Sequence, residues 1–192
     1  MIKLYKLMVL DNECVEKYVD AVLKEIDKKF FEPICKVIHN NNVEFIYSEE
    51  KIDSISAVTK VSSGKITVKL FPTAFNGNDD YFIDSYLNLQ HVICHEIAHV
   101  LDILSEYKIS NQFLYLTGGL YDNNMNYFPK GKGSYQGTTK LGHYNHFEDF
   151  ADSFGAVVFG DCYDGGKGVE IDTNRKLLVL RIVQEWIKKL EN

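Results

Sequence analysis

His95-Glu96-Ile97-Ala98-His99 sets two imidazoles four residues apart, about one turn along a helix and on one face of it. Both rings can then reach a single zinc ion at about 2.0–2.1 Å. Glu96, beside the first histidine, is placed to accept a proton from water activated at that metal. The flanks support a helix. Tyr86, Leu89, Val92 with Ile93, Ala98, and Leu101 with Ile103 and Leu104 supply apolar positions at helical spacing, and Asp84 and Ser85 precede them as capping residues. The competing view, a core helix that happens to carry two histidines, would leave two imidazoles and a carboxylate in need of partners.

Around this motif the composition is that of one globular domain of 192 residues, long enough to build a core without disulfides. Three segments are expected within it: an N-terminal helical segment (1–40), a sheet with the motif helix (41–104) and a helical lobe (105–192). The formal net charge of −6 argues against general nucleic-acid or anionic-membrane binding. Cys14, Cys35, Cys94 and Cys162 are scattered and read as free thiols. Cys94 precedes His95 but points about 100° away on a helix, so it is not expected to ligate. The apolar run within Met1–Leu10 is too short for a signal-peptide core and nothing later is long enough to span a bilayer, which leads to an expectation of cytoplasmic synthesis.

From the N-terminus, Asp11 to Phe31 is expected to be a helix burying Val15, Val19, Val22, Leu23, Ile26 and Phe30, with a short turn after Pro33. Val43–Tyr47, Ile55–Val61 and Lys65–Phe71 read as strands, the last two joined as a hairpin across Ser62-Ser63-Gly64. Thr73 to Asp84 reads as a loop into the motif helix. Ile109–Leu116 reads as a helix stopped by Gly118-Gly119, Tyr121–Tyr144 as irregular, and Phe147–Phe159 as a helix again. After a turn over Gly160–Gly168, Asp172-Thr173 should cap a last helix that turns Leu177, Leu180, Val183, Trp186, Ile187 and Leu190 inward.

A hydrolytic zinc needs a third protein ligand and an open position. His143, His146, Glu148, Asp149 and Asp152 are the downstream candidates. Glu148 and Asp152 stand four apart on one helix face, so that one can bind metal while the other orients a histidine. Glu148 is the expected ligand, with His143 or His146 as the alternative. Asp102, three residues after His99, is either support behind the site or an exposed helix acid.

His-Glu-Ile-Ala-His-Val-Leu-Asp (95–102) followed by Glu-Asp-Phe-Ala-Asp-Ser-Phe (148–154) resembles the catalytic domain of anthrax lethal factor. It is similar also to the secreted clostridial Pro-Pro endopeptidases. The resemblance covers about residues 40 to 160. It implies a zincin-like fold, zinc held by His95, His99 and Glu148, and Glu96 as general base. Asp152 stands where the family has glutamate. The family also places a catalytic tyrosine shortly before the ligand glutamate. Ser134-Tyr135-Gln136-Gly137-Thr138 matches that context loosely, but Tyr135 lies 13 residues (148 − 135) before Glu148, farther than in the family. Tyr144 is nearer, without the context, and is the alternative.

The resulting expectation is an α+β, zincin-like metallopeptidase domain with a small upstream sheet, an active-site helix and a helical second lobe. One Zn2+ per chain is expected, acting on a peptide or protein substrate, in a monomer that binds neither nucleic acid nor membrane. The strand Lys65–Phe71 is expected to form the edge along which peptide lies. The other possibilities are a zinc-stabilised binding or immunity protein without protease activity, and an intracellular regulatory protease specific for one partner. The family resemblance points to secretion if a leader has been removed.

Overall fold

The structure, a computed structural model, describes residues 11–30, 33–52, 55–76, 85–129, 141–160, 162–164, 167–169 and 171–191, without the side chains of 76, 85–88, 162–164 and 167–169. It is an α+β fold, mostly helical with a small sheet. Helix α1 (Asn12–Phe30) buries the six apolar residues expected of it, together with Cys14, and is followed by the helix α2 (Ile34–Asn40), where a short turn was expected. Strands β1 (Val43–Tyr47), β2 (Ala57–Ser62) and β3 (Lys65–Leu70) make a three-stranded sheet. Ser63 and Gly64, both at positive φ, turn the β2–β3 hairpin.

The strand order is β1-β3-β2, with β1 parallel and β2 antiparallel to β3. Lys65–Leu70 is therefore the central strand and not the edge. The polar–apolar alternation reports which face of a strand is buried, here Ile66, Val68 and Leu70. It carries no information about the perpendicular direction in which neighbouring strands pair. The edge that runs beside the motif helix is β2.

Pro72 ends β3 and at once begins a short helix, α3 (Pro72–Asn76), where a loop was expected; proline suits a helix's first turn because its missing N–H has no partner there. The motif helix α4 (Ser85–Leu104) buries Leu89, Ile93, Cys94, Ile97, Ala98, Val100 and Leu101. It packs against α1, α3, β2 and α6. The chain reverses into α5 (Lys108–Thr117), which Gly118 closes at φ 71°. The stretch expected to be irregular contains a small hairpin, β4 (Leu120–Tyr121) and β5 (Tyr127–Phe128), and a 3-10 turn at Leu141–His143. Helix α6 (His146–Phe159) is capped by Asn145, whose side chain accepts from the Glu148 N–H. The expected turn after Gly160 instead contains a two-stranded ladder, β6 (Cys162–Asp164) with β7 (Lys167–Val169).

Asp172 caps α7 (Thr173–Leu190), as its sequence suggests. The buried stripe of α7 is rotated from the expected one. Arg175, Val179, Ile182, Val183 and Ile187 face inward, while Leu177 is 58% exposed. A single large cluster joins α1, α2, β3, α4, α5, α6 and α7, with Phe30 stacked on Phe154 at 4.7 Å between centroids. Among the described residues no helix is long and apolar enough to cross a membrane. Cys14, Cys35 and Cys94 are free thiols; the Cys162 side chain lies outside the described residues.

Candidate metal centre

Helices α4 and α6 each contribute through the four-residue spacing of their polar side chains. His95 and His99 stand one above the other on α4, their rings 4.7 Å apart and nearly perpendicular. Glu148, in the first turn of α6, completes the group. The Nε2 atoms of His95 and His99 are 3.0 Å apart, and Glu148 Oε2 lies 3.0 Å from the first and 3.5 Å from the second. A tetrahedral ion with bonds of about 2.0–2.1 Å would set its ligand atoms roughly 3.3 Å from one another. The three atoms already stand close to that spacing.

Asp152 explains why the imidazole of His95 presents the correct atom. Its carboxylate accepts from Nδ1 of His95 at 2.8 Å, so that in the neutral ring the lone pair sits on Nε2, on the side of Glu148 and His99. Two ring nitrogens and a carboxylate oxygen this close need a metal ion or a shared proton among them. The electrostatics reflect the same demand. Burial opposes a charge on His95, but the Asp152 and Glu148 carboxylates outweigh it and raise its pKa well above the ordinary imidazole value. Burial likewise works against the Glu148 carboxylate, yet the two imidazoles hold its pKa far below the usual range. The donor set of two imidazoles and one carboxylate suits a borderline divalent ion such as zinc, and the described residues that could hold a metal are these three.

The other candidates are engaged elsewhere. Asp149 is fully buried and accepts two bonds from Nη1 of Arg175, each 2.6 Å, and one from the Tyr127 hydroxyl at 2.7 Å. His146 is 7% exposed, and its Nδ1 lies 2.8 Å from the hydroxyl of Tyr121, which also accepts from the His146 N–H. His143 does not join the convergent group. Asp102 is not an exposed acid: it is 2% exposed and accepts from the Ser110 N–H at 2.8 Å, tying the start of α5 to the motif helix. Burial raises its pKa, against the pull of Ser110 and the charge of His99. Tyr135 lies outside the described residues. Tyr144 is 74% exposed and makes no hydrogen bond to the metal-binding group.

Glu96 is 6% exposed, and one of its oxygens, Oε2, accepts a 2.5 Å hydrogen bond from the hydroxyl of Thr59 on β2. The sequence signal for Thr59 is slight: a hydroxyl at a core-facing position of a strand implies that some buried acceptor awaits it. Arg175 carries no such signal: it falls among the polar residues of an amphipathic helix.

Removing Glu148 (Glu148→Ala) should weaken zinc binding by more than the roughly 10–100-fold that losing an orienting group costs, and Asp152→Ala should fall within that range. His143→Ala and His146→Ala should leave binding largely intact. Competitive titration against a chromophoric chelator measures all four; equal losses from a histidine change and from Glu148→Ala would show that the third ligand is misassigned.

Comparison with family models, curated proteins and solved structures finds no match to the chain. What it does must be read from its own side chains.

Proposed function

We propose that the chain is a zinc-dependent endopeptidase of zincin-like architecture. One observation carries this: His95, His99 and Glu148 converge beside a nearly buried Glu96 that an edge strand of the sheet holds by a hydrogen bond. When bound, zinc supplies Lewis acidity that polarises a carbonyl and lowers the pKa of water. His95, His99 and Glu148 would hold it, with Asp152 fixing the tautomer and tilt of His95. Glu96 takes a proton as the water oxygen bonds to the scissile carbonyl carbon. It returns that proton to the departing nitrogen as the C–N bond breaks. Proton and electron pairs balance with no further reactant.

The outer edge of β2 supports the choice of an extended peptide as substrate. Its backbone groups have no strand partner on that side among the described residues, and main-chain hydrogen bonds to such an edge would lay a peptide alongside α4. The experiment is cleavage of a diverse peptide library by the zinc-reconstituted protein, read by mass spectrometry. Internal cleavage that stops on chelation and returns with zinc is expected. Stoichiometric zinc without any cleavage would favour the zinc-stabilised binding protein instead.

A donor for the developing oxyanion is expected from Tyr135. Tyr135→Phe should lower kcat by about 10²–10³, the typical value of one such donor, with zinc retained. Tyr144→Phe serves as the matched control and should cost little. If the effects are reversed, Tyr144 has the role.

A further inference from the structure

We infer that Thr59 is a positioning residue for Glu96: the edge strand expected to seat the peptide also holds the carboxylate that handles the proton. The inference rests on the metallopeptidase reading in one respect, that Glu96 works on a proton beside the metal.

The register fixes where Thr59 points. It stands opposite Val68 on β3, as Ala57 stands opposite Leu70 and Val61 opposite Ile66. Directly paired residues share a face of the sheet, and Ile66, Val68 and Leu70 are the buried face. Thr59 thus lies on the same face as the buried Val68, between Ala57, which packs against the core, and Val61, which is 53% exposed near the hairpin, and the acceptor it meets there is Glu96 on α4. Threonine is stiff at χ1, so a strand backbone fixes its hydroxyl more closely than a longer polar side chain would allow. A glutamate has three rotatable bonds. Fixing Oε2 to the sheet removes much of that freedom and leaves Oε1 as the oxygen available to the proton. The hydroxyl also solves a local problem. A carboxylate that is 6% exposed needs a donor, and Thr59 supplies it without neutralising the charge.

The consequence is mechanical. Peptide added to the outer edge of β2 would bond to the backbone of the strand that carries Thr59. Substrate seating and the orientation of the base are thereby referred to one element, and the distance between them is set by a single residue of strand.

The test uses zinc-reconstituted full chain and acetohydroxamate as the probe, with affinity read by calorimetry, so no peptide substrate is required. A hydroxamate chelates zinc and shares its proton with a neighbouring carboxylate, which makes its affinity sensitive to where that carboxylate lies. Thr59→Val keeps the shape and a β-branched strand residue while removing the hydroxyl. It should weaken acetohydroxamate about tenfold, the lower end for a hydrogen bond to a charged group, with zinc content unchanged. Thr59→Ser should restore most of the affinity. In a Glu96→Ala background, Thr59→Val should change nothing further. On any peptide the protein cleaves, Thr59→Val should lower kcat by a similar factor and leave KM near its wild-type value, again with rescue by serine. Equal losses with and without Glu96, or no rescue by serine, would overturn the role of Thr59 and leave the peptidase reading intact. A wild-type protein that holds zinc but does not bind the hydroxamate would overturn both.

Discussion

Glu96→Gln should silence hydrolysis while leaving zinc in place. The amide keeps the shape of the side chain and can still accept from Thr59, but it cannot take a proton at neutral pH. General base catalysis is typically worth about 10²–10⁴-fold, and the loss should lie in that range or beyond, in kcat rather than KM. Zinc should remain stoichiometric because Glu96 faces the Thr59 hydroxyl and is not one of the three convergent groups. Elemental analysis and single-turnover cleavage on the same preparation separate the two effects. Loss of metal together with activity would mean that Glu96 is a structural part of the centre. Unchanged activity would remove it from the mechanism altogether.

Arg175→Ala should unfold the protein more easily by about 3–5 kcal/mol, the usual cost of removing one partner from a buried ion pair. Asp149 is fully buried, so its carboxylate would lose the guanidinium charge and keep the Tyr127 hydroxyl at 2.7 Å. The same guanidinium donates from Nη2 to the Pro129 carbonyl at 3.2 Å and lies over the Phe113 ring, 5.2 Å from its centroid. It therefore joins α7, α5, the β5 end and the first turn of α6, one residue from Glu148. Burial, followed by the nearby Asp149 charge, also pushes the Tyr127 hydroxyl far above its ordinary pKa, so it stays a donor to Asp149 at any working pH. Urea unfolding of the variant checks the magnitude. A loss under about 1 kcal/mol, the range of an exposed ion pair, would show that the network is not desolvated as the geometry implies.

How much of this was readable in advance depended on the distance over which each feature is encoded. His95, Glu96 and His99 lie within one helical turn, and their common face follows from helix geometry alone. Glu148 and Asp152 repeat that spacing on a second helix, so their pairing with His95 needed only the two helices to meet. Helix α1 was legible for the same reason, since its apolar stripe runs unbroken from Val15 to Phe30. The edge of the sheet was not legible. Strand order depends on which chain segments pair across the sheet, and the alternation in Lys65–Leu70 describes only its faces. Thr59 depended on that order, because its neighbour Glu96 is 37 residues away in sequence. Arg175 was hidden by a rotation of the α7 stripe, in which an arginine paired to Asp149 takes a core position and Leu177 is turned to solvent. Hydrophobic periodicity cannot register a charge that is buried because it is paired. The small ladders β4–β5 and β6–β7 have two or three residues per strand, too few for a period to show.

The centre itself is tested most directly by native mass spectrometry of the protein after reconstitution with zinc at neutral pH. One zinc per chain is expected for the wild type, with the adduct lost in His95→Ala, His99→Ala and Glu148→Ala and kept in Glu96→Gln. A wild-type chain that carries no stoichiometric zinc, or three ligand variants that all retain it, would contradict the assignment of His95, His99 and Glu148 as the metal site.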